Sequence, residues 1–324
     1  MRSTLRHFAR AVKREAERET CAATLAGCAA CDHNRMRVAL LICFGFIGAG
    51  CSQRPAIVVG SKNFTEQLIL GEIIAQHIER RLHVRVDRRL NLGGTLLAHE
   101  AVARGSIDLY PEYSGTAFAA VLKETPPPNE PAAFARLNQQ YGARWRLVWM
   151  PPLGFENTFA MVIRASDAKA GGFQTLSDAA RRAEGWRLGA GYEFAQRPDG
   201  LPGLIRTYRL RLHGEPVIMD LGLLYRSLEN GQTDMAAGNS TDGAIAARGL
   251  VALVDDKRYF PRYDCGIVVR QDALRRIAGL RAALAELSGK ISDRDMGKLN
   301  FQVEAKHRPP RAVAAEFLAA AEHK

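Results

Sequence analysis

The chain has 324 residues, 47% hydrophobic and 24% charged, an ordinary globular composition with enough apolar material for one large domain or two lobes. Its net charge of +11 is raised by the first 51 residues, which hold eight Lys or Arg against four Asp or Glu. The other arginines come as scattered doublets such as Arg80–Arg81 and Arg181–Arg182. This pattern reads as solvated faces and gives no support to a nucleic-acid partner, which would need a basic stripe interleaved with aromatics.

Residues 1–35 are expected to be a non-native or disordered extension, because an export signal normally starts at the initiating Met and such a signal opens at Met36. A short amphipathic helix around Phe8 and Val12 is the alternative. Cys21, Cys28, Cys31 and His33 have the ligand types of a zinc site, but they lie in a short Ala-rich stretch ahead of the targeting signal. From Met36 a basic Arg37, the apolar run 38–47 and Gly48-Ala49-Gly50-Cys51 follow. That run is shorter than the ~20 residues a membrane-spanning helix needs. It resembles a bacterial lipoprotein signal, with Gly48 where Leu or Val is usual, and the resemblance implies lipidation at Cys51 and a membrane anchor. Downstream only Cys265 remains, so no disulfide framework is implied.

Past Cys51 short apolar runs alternate with helical stripes. Ile57-Val58-Val59 is a predicted strand, Gly60 to Asn63 a turn, and Leu68, Ile69, Ile73, Ile74 and Ile78 a helical face. Asn63 is expected to cap this helix with Glu66 closing a capping box, which would turn Gln67 toward a cleft. A strand over 84–90, a helix from Thr95 through Val102 and a strand over 107–110 complete three strand-turn-helix units, a pattern that predicts a parallel sheet with ligands at its carboxyl edge. The proline-rich 124–131 ends this series. A second follows with strands at 158–164, 186–190, 217–219 and 233–237, then a strand at 266–270 and Ala- and Leu-rich helices.

The expected fold class is therefore α/β, a two-lobed periplasmic-binding-protein (type II) architecture in which each lobe is a mostly parallel sheet flanked by helices. The chain is expected to cross near 157–159 and 263–266, giving lobe one as 57–157 plus 266–324 and lobe two as 158–265.

Eight stretches in order across 57–320 resemble the substrate-binding proteins of glycine betaine, choline and carnitine importers. They include Gly60-Ser61-Lys62-Asn63-Phe64-Thr65-Glu66-Gln67, Leu92-Gly93-Gly94-Thr95, Tyr110-Pro111-Glu112-Tyr113-Ser114-Gly115-Thr116, Gly154-Phe155-Glu156-Asn157, Arg197-Pro198-Asp199-Gly200 and Ser240-Thr241-Asp242-Gly243. The resemblance implies an extracytoplasmic solute-binding subunit, in the periplasm or cell envelope, that takes a small polar amine and delivers it to permease and ATPase subunits. A sensing or scaffold domain with a different amine or amino-acid-like ligand is the alternative. The implied ligand-binding residues are Gln67, Tyr113, Thr116, Asn157, Phe159, Tyr192, Tyr225, Asn239, Ser240 and Thr241. Arg197 is expected either to meet a ligand carboxylate or to pair with Asp199 or Asp220. Where the family commonly has an aromatic residue before Ser/Thr-Asp-Gly, this chain has Gly238-Asn239, which removes one ring from a cation cage.

No Gly-x-Ser-x-Gly elbow, His-Glu-x-x-His or Walker-type phosphate loop occurs. Asp255–Asp256 beside Lys257 reads as a loop salt bridge. No catalysis, cofactor or metal is expected.

Overall fold

The computed structural model describes residues 57–127 and 129–322. The signal-like segment and Cys51 lie outside the described residues, as do Cys21, Cys28, Cys31 and His33.

Two five-stranded sheets organise the described chain. The first takes β1 (Ile57–Gly60), β2 (Val86–Arg89), β3 (Leu109–Tyr113), β4 (Leu147–Trp149) and β10 (Cys265–Arg270) in the order β2-β1-β3-β10-β4. The second takes β5 (Phe159–Arg164), β6 (Leu188–Ala190), β7 (Val217–Ile218), β8 (Met235–Asn239) and β9 (Leu250–Ala252) in the order β7-β6-β8-β5-β9. In each sheet four strands run in one direction and the strand at the fourth position is antiparallel to both neighbours, β10 in one and β5 in the other. The two lobes are thus the same plan built twice, with the antiparallel strand supplied by the chain as it arrives from the other lobe. The short strands β4 and β9 lack the run length that would mark them in sequence.

Helices bury the sheets because their apolar residues recur at helical spacing. Ile69, Leu70, Ile73, Ile74 and Ile78 of the helix Thr65–Leu82 pack with Ile57, Val59 and Val269 on one face of the first sheet. Val102, Phe118, Leu137 and Tyr141 cover the other face. In the second lobe Trp186, Leu188, Leu204 and Met235 centre one core, while Val162, Leu224 and Leu228 centre a smaller one.

The two segments that cross between the sheets run side by side. Glu156 and Asp264 form an antiparallel bridge there, Asn157 N–H donates to Tyr263 O at 3.1 Å, and Cys265 N–H to Phe155 O at 3.0 Å. Parallel strands expose their carboxyl ends on one edge, so β1, β3, β6 and β8 all deliver their following residues to the same gap.

The helix start expected at Asn63 is different in the fold. The helix begins at Thr65, its N-cap is Phe64, and no side chain caps it. Glu66 does not close a capping box, because its carboxylate is buried and accepts hydrogen bonds from Tyr113, Asn157, Thr241 and Asn300.

Candidate functional site

A cavity of about 1160 Å³ lies between the carboxyl edges of the two sheets. The first lobe gives it Lys62, Phe64, Tyr113, Thr116 and Leu97, and the second gives it Tyr192, Glu193, Arg197, Asp199 and Asn239. Asn157, Phe159 and Tyr263 line it at the crossings.

Two buried cations face aromatic rings in this cavity. Lys62 Nζ lies 4.7 Å from the Tyr113 ring centroid and 5.9 Å from that of Phe64, and it pairs with Glu112 Oε1 at 2.5 Å. The Arg197 guanidinium lies 5.2 Å from the Phe159 centroid and 5.8 Å from that of Tyr263. Its Nε and Nη2 fork onto the two oxygens of Asp199 at 2.9 and 2.5 Å, and its Nη1 donates to Thr116 Oγ1 at 3.3 Å. Desolvation works against the Arg197 charge, but the Asp199 carboxylate outweighs it and holds the guanidinium above its usual value. Asp199 also accepts from Tyr263 O–H at 2.6 Å, so one carboxylate orients both the cation and a cavity ring. A planar guanidinium clamped this way is an anion-binding group with its geometry already fixed.

Six of the ten residues implied by the resemblance line the cavity: Tyr113, Thr116, Asn157, Phe159, Tyr192 and Asn239. Of the other four, Gln67, Tyr225 and Thr241 are buried and do not line it, and Ser240 is exposed. Gln67 is fully buried, accepts from Lys62 N–H at 3.2 Å and donates to the Tyr113 hydroxyl oxygen at 3.1 Å, so it supports two cavity-lining residues. Tyr225 is buried with its O–H donating to Asp242 Oδ2 at 2.5 Å, over Gly238, where a Cβ would collide with the phenol. Ser240 donates to Asn157 Oδ1 at 3.4 Å and accepts from Thr158 N–H at 3.1 Å. Thr241 donates to Glu66 Oε2 at 2.5 Å.

Asn239 is paired in register with Phe159 across β5 and β8, which places both at the cavity wall. Its backbone N–H and side-chain Nδ2 both donate to Asp242, leaving the side-chain oxygen as the polar group offered to a solute. Of the two expectations for Arg197, the pairing with Asp199 is present, and the side chain also lines the cavity. Asp255 holds its loop through Tyr208 O–H and the N–H groups of Tyr259 and Phe260, while Lys257 Nζ donates to Thr207 O, so hydrogen bonds take the place of the expected salt bridge.

Lys62, Phe64 and Tyr263 were not among the residues singled out from sequence. Lys62 and Phe64 follow β1 directly, and position after a parallel strand was a signal for them. Tyr263 lies at the second expected crossing, and that position was its signal. Among the described residues no group of three or more His, Cys, Asp and Glu is placed to hold a metal ion, and no helix is long and apolar enough to cross a membrane.

Comparison with known proteins places this geometry among relatives. Residues 55–320 match the family model described as the substrate-binding domain of ABC-type glycine betaine transport systems. The chain is 35% identical over 267 residues to an ergothioneine transport permease/ergothioneine binding protein of Helicobacter pylori; the match covers 82% of this chain and 48% of that protein, so the chain spans about half that relative's length. It is 32% identical over 273 residues to a carnitine transport binding protein of Listeria monocytogenes, covering 84% of this chain and 88% of the relative. A crystal structure of a glycine betaine/carnitine/choline ABC transporter protein superposes with a TM-score of 0.68 at 30% identity, covering 82% of this chain and 98% of that one.

Proposed function

The chain belongs to the family of substrate-binding domains of ABC-type glycine betaine transport systems, and from that premise we propose that it captures a small zwitterionic amine of the betaine class, closing two lobes over it for delivery to permease and ATPase subunits. The observation that carries the ligand class is the buried pair Lys62 and Arg197 in one cavity, each against aromatic faces, with Thr116 beside Arg197. A carboxylate fits Arg197, Thr116 and the free N–H groups of Lys62. The cationic nitrogen fits the remaining ring faces and the oxygen of Asn239. Carnitine, glycine betaine and ergothioneine, which give the relatives their names, each combine a quaternary nitrogen with a carboxylate.

Titration calorimetry with glycine betaine, carnitine and choline tests the reading. Choline has the quaternary nitrogen without the carboxylate, and should bind at least about tenfold more weakly than the zwitterions, the loss of roughly one charge-assisted hydrogen bond. Choline binding as tightly as the zwitterions overturns the assignment.

The lobes on this reading are 57–157 plus 266–324 and 158–265, hinged at the paired crossings. The signal-like segment ending at Cys51 supports an envelope location with a lipid anchor. Labelled palmitate should enter the wild type and not Cys51→Ala, and label persisting in the variant counts against the anchor.

A further inference from the structure

Glu66 is buried to 1% exposure, and its two oxygens accept four hydrogen bonds from four separate parts of the chain. Tyr113 O–H reaches Oε1 at 2.6 Å and Asn157 Nδ2 reaches it at 2.9 Å; Thr241 O–H reaches Oε2 at 2.5 Å and Asn300 Nδ2 reaches it at 2.9 Å. All four partners are neutral. The Lys62 ammonium pairs with Glu112. A buried carboxylate without a cation is costly and persists only where its hydrogen bonds are complete.

What these donors do sets Glu66 apart from a core group that merely fills space. Tyr113 and Asn157 are walls of the solute cavity, whereas Thr241 belongs to the second lobe and Asn300 to the helix Asp293–Glu304, which follows β10. Gln67 Nε2 donates to the Tyr113 oxygen, which fixes the phenol proton toward Glu66. Asn157 in turn accepts at Oδ1 from Ser240 O–H and Thr241 N–H, both at 3.4 Å. An amide at position 66 has one acceptor oxygen and turns an NH2 toward the other two donors, so only a carboxylate satisfies this set.

We propose that Glu66 is the positioning residue of the solute cavity: through Tyr113 and Asn157 it fixes two wall side chains, and through Thr241 it ties their placement to the second lobe. The inference rests on the assignment of this cavity as the betaine-class site. Burial raises the Glu66 carboxyl above its ordinary value, and the four hydrogen bonds offset only part of that rise.

The test is a double-mutant cycle on the full chain, read by titration with glycine betaine and carnitine alongside thermal melts. Glu66→Gln should raise both dissociation constants at least about tenfold and Tyr113→Phe about threefold, the scale of one or two lost hydrogen bonds. In the Glu66→Gln background Tyr113→Phe should add nothing further, since the phenol has already lost its partner. Glu79→Gln, which breaks the Arg88 pair on the same helix, should lower the melting temperature and leave affinity unchanged. A Glu66→Gln protein that melts lower but binds like the wild type, or a Tyr113→Phe effect of full size in both backgrounds, overturns the proposal. If Glu66→Gln does not fold, Thr241→Val removes one donor to Glu66, and a variant that melts lower but binds like the wild type overturns the proposal. If the wild type binds neither probe, the betaine reading fails, and Glu66 is judged by hydrogen exchange of the ligand-free protein. Faster exchange in Glu66→Gln at 113–117, 157–158 and 240–242 together supports positioning, and change confined to 65–82 overturns it.

Discussion

Glu193 of the second lobe takes both the backbone N–H and the hydroxyl of Thr95 in the first, at 2.5 and 2.9 Å. One lobe thus caps a helix of the other, Thr95–Ala103, which has no cap of its own. Gly94 makes the approach possible, since a Cβ there would strike the Glu193 carboxylate. The carboxylate sits where a helix start favours negative charge. On the proposed hinge closure, both bonds form only when the lobes are together and so stabilise the closed state alone. Glu193→Ala should weaken glycine betaine binding about tenfold, mainly through faster dissociation. It should also enlarge the ligand-free radius in small-angle scattering, and Glu193→Gln, which keeps an acceptor for the Thr95 N–H, should recover part of both. An unchanged dissociation rate with an unchanged scattering curve removes the clasp.

Removing the Arg197 guanidinium leaves the largely enclosed Asp199 carboxylate without its cation. Arg197→Ala should therefore cost about 3 kcal/mol in unfolding free energy as well as zwitterion binding. The pair Arg197→Met with Asp199→Asn removes both charges and keeps an acceptor for Tyr263 O–H. It should recover most of the stability and none of the binding, as measured by denaturant melts and calorimetry on the same samples. Recovered binding in the double variant would remove Arg197 from the site.

The sheet plan was legible because β1, β3, β5, β6, β8 and β10 are apolar runs bounded by polar, glycine-rich turns, and because strand-turn-helix order constrains topology. Tyr113, Thr116, Tyr192 and Asn239 were legible because they end or follow strands at the carboxyl edge, and Asn157 and Phe159 because the chain was expected to cross there. Gln67, Thr241 and Tyr225 sit in the same motifs, yet their side chains turn to Tyr113, Glu66 and Asp242. A motif fixes where its backbone lies, and the partners that aim its side chains come from distant segments. The separation between Glu66 and Asn300, 234 positions, shows why local spacing read a helix cap where the fold builds a hub.

Carboxylates behind the cavity make stability depend on pH. Burial, then the nearby Asp242 charge, push the Glu304 carboxyl up from 4.5 to about 7, against the hydrogen bond it accepts from Ala244 N–H. Asp242 and Glu66 are raised too, by burial first. For a raised acid the native state holds the proton more tightly than the unfolded chain does, so its contribution is full below the unfolded value and lost as pH rises to the folded one. Stability should fall between about pH 4.5 and 7, by about 3 kcal/mol if Glu304 alone titrates. Glu304→Gln should flatten that slope in melts across the window. The lowered Asp234, held by Arg187 and Arg164, acts only below its ordinary 3.8 and leaves the window clear. A wild-type slope retained in Glu304→Gln would assign it to other groups.

Asn239 sits opposite Phe159 in register, at the position where the family commonly carries a ring. A trimethylated nitrogen has no N–H to give the Asn239 oxygen, so it gains nothing there, while a missing ring face forfeits roughly 0.5–2 kcal/mol. Glycine betaine should therefore bind the wild type weakly, and an amine that keeps an N–H, such as dimethylglycine, should bind better. Asn239→Tyr gives up side-chain contacts to Asp242 of only 3.3 and 3.4 Å, and the backbone N–H that bonds Asp242 at 2.9 Å stays in place. The added ring should raise glycine betaine affinity about two- to thirtyfold and reverse the preference for dimethylglycine. Calorimetry with both compounds on both proteins decides it. A wild type that already binds glycine betaine at low micromolar or tighter, with no gain in Asn239→Tyr, would mean that the rings of Phe64, Tyr113, Phe159 and Tyr263 complete the cage without position 239.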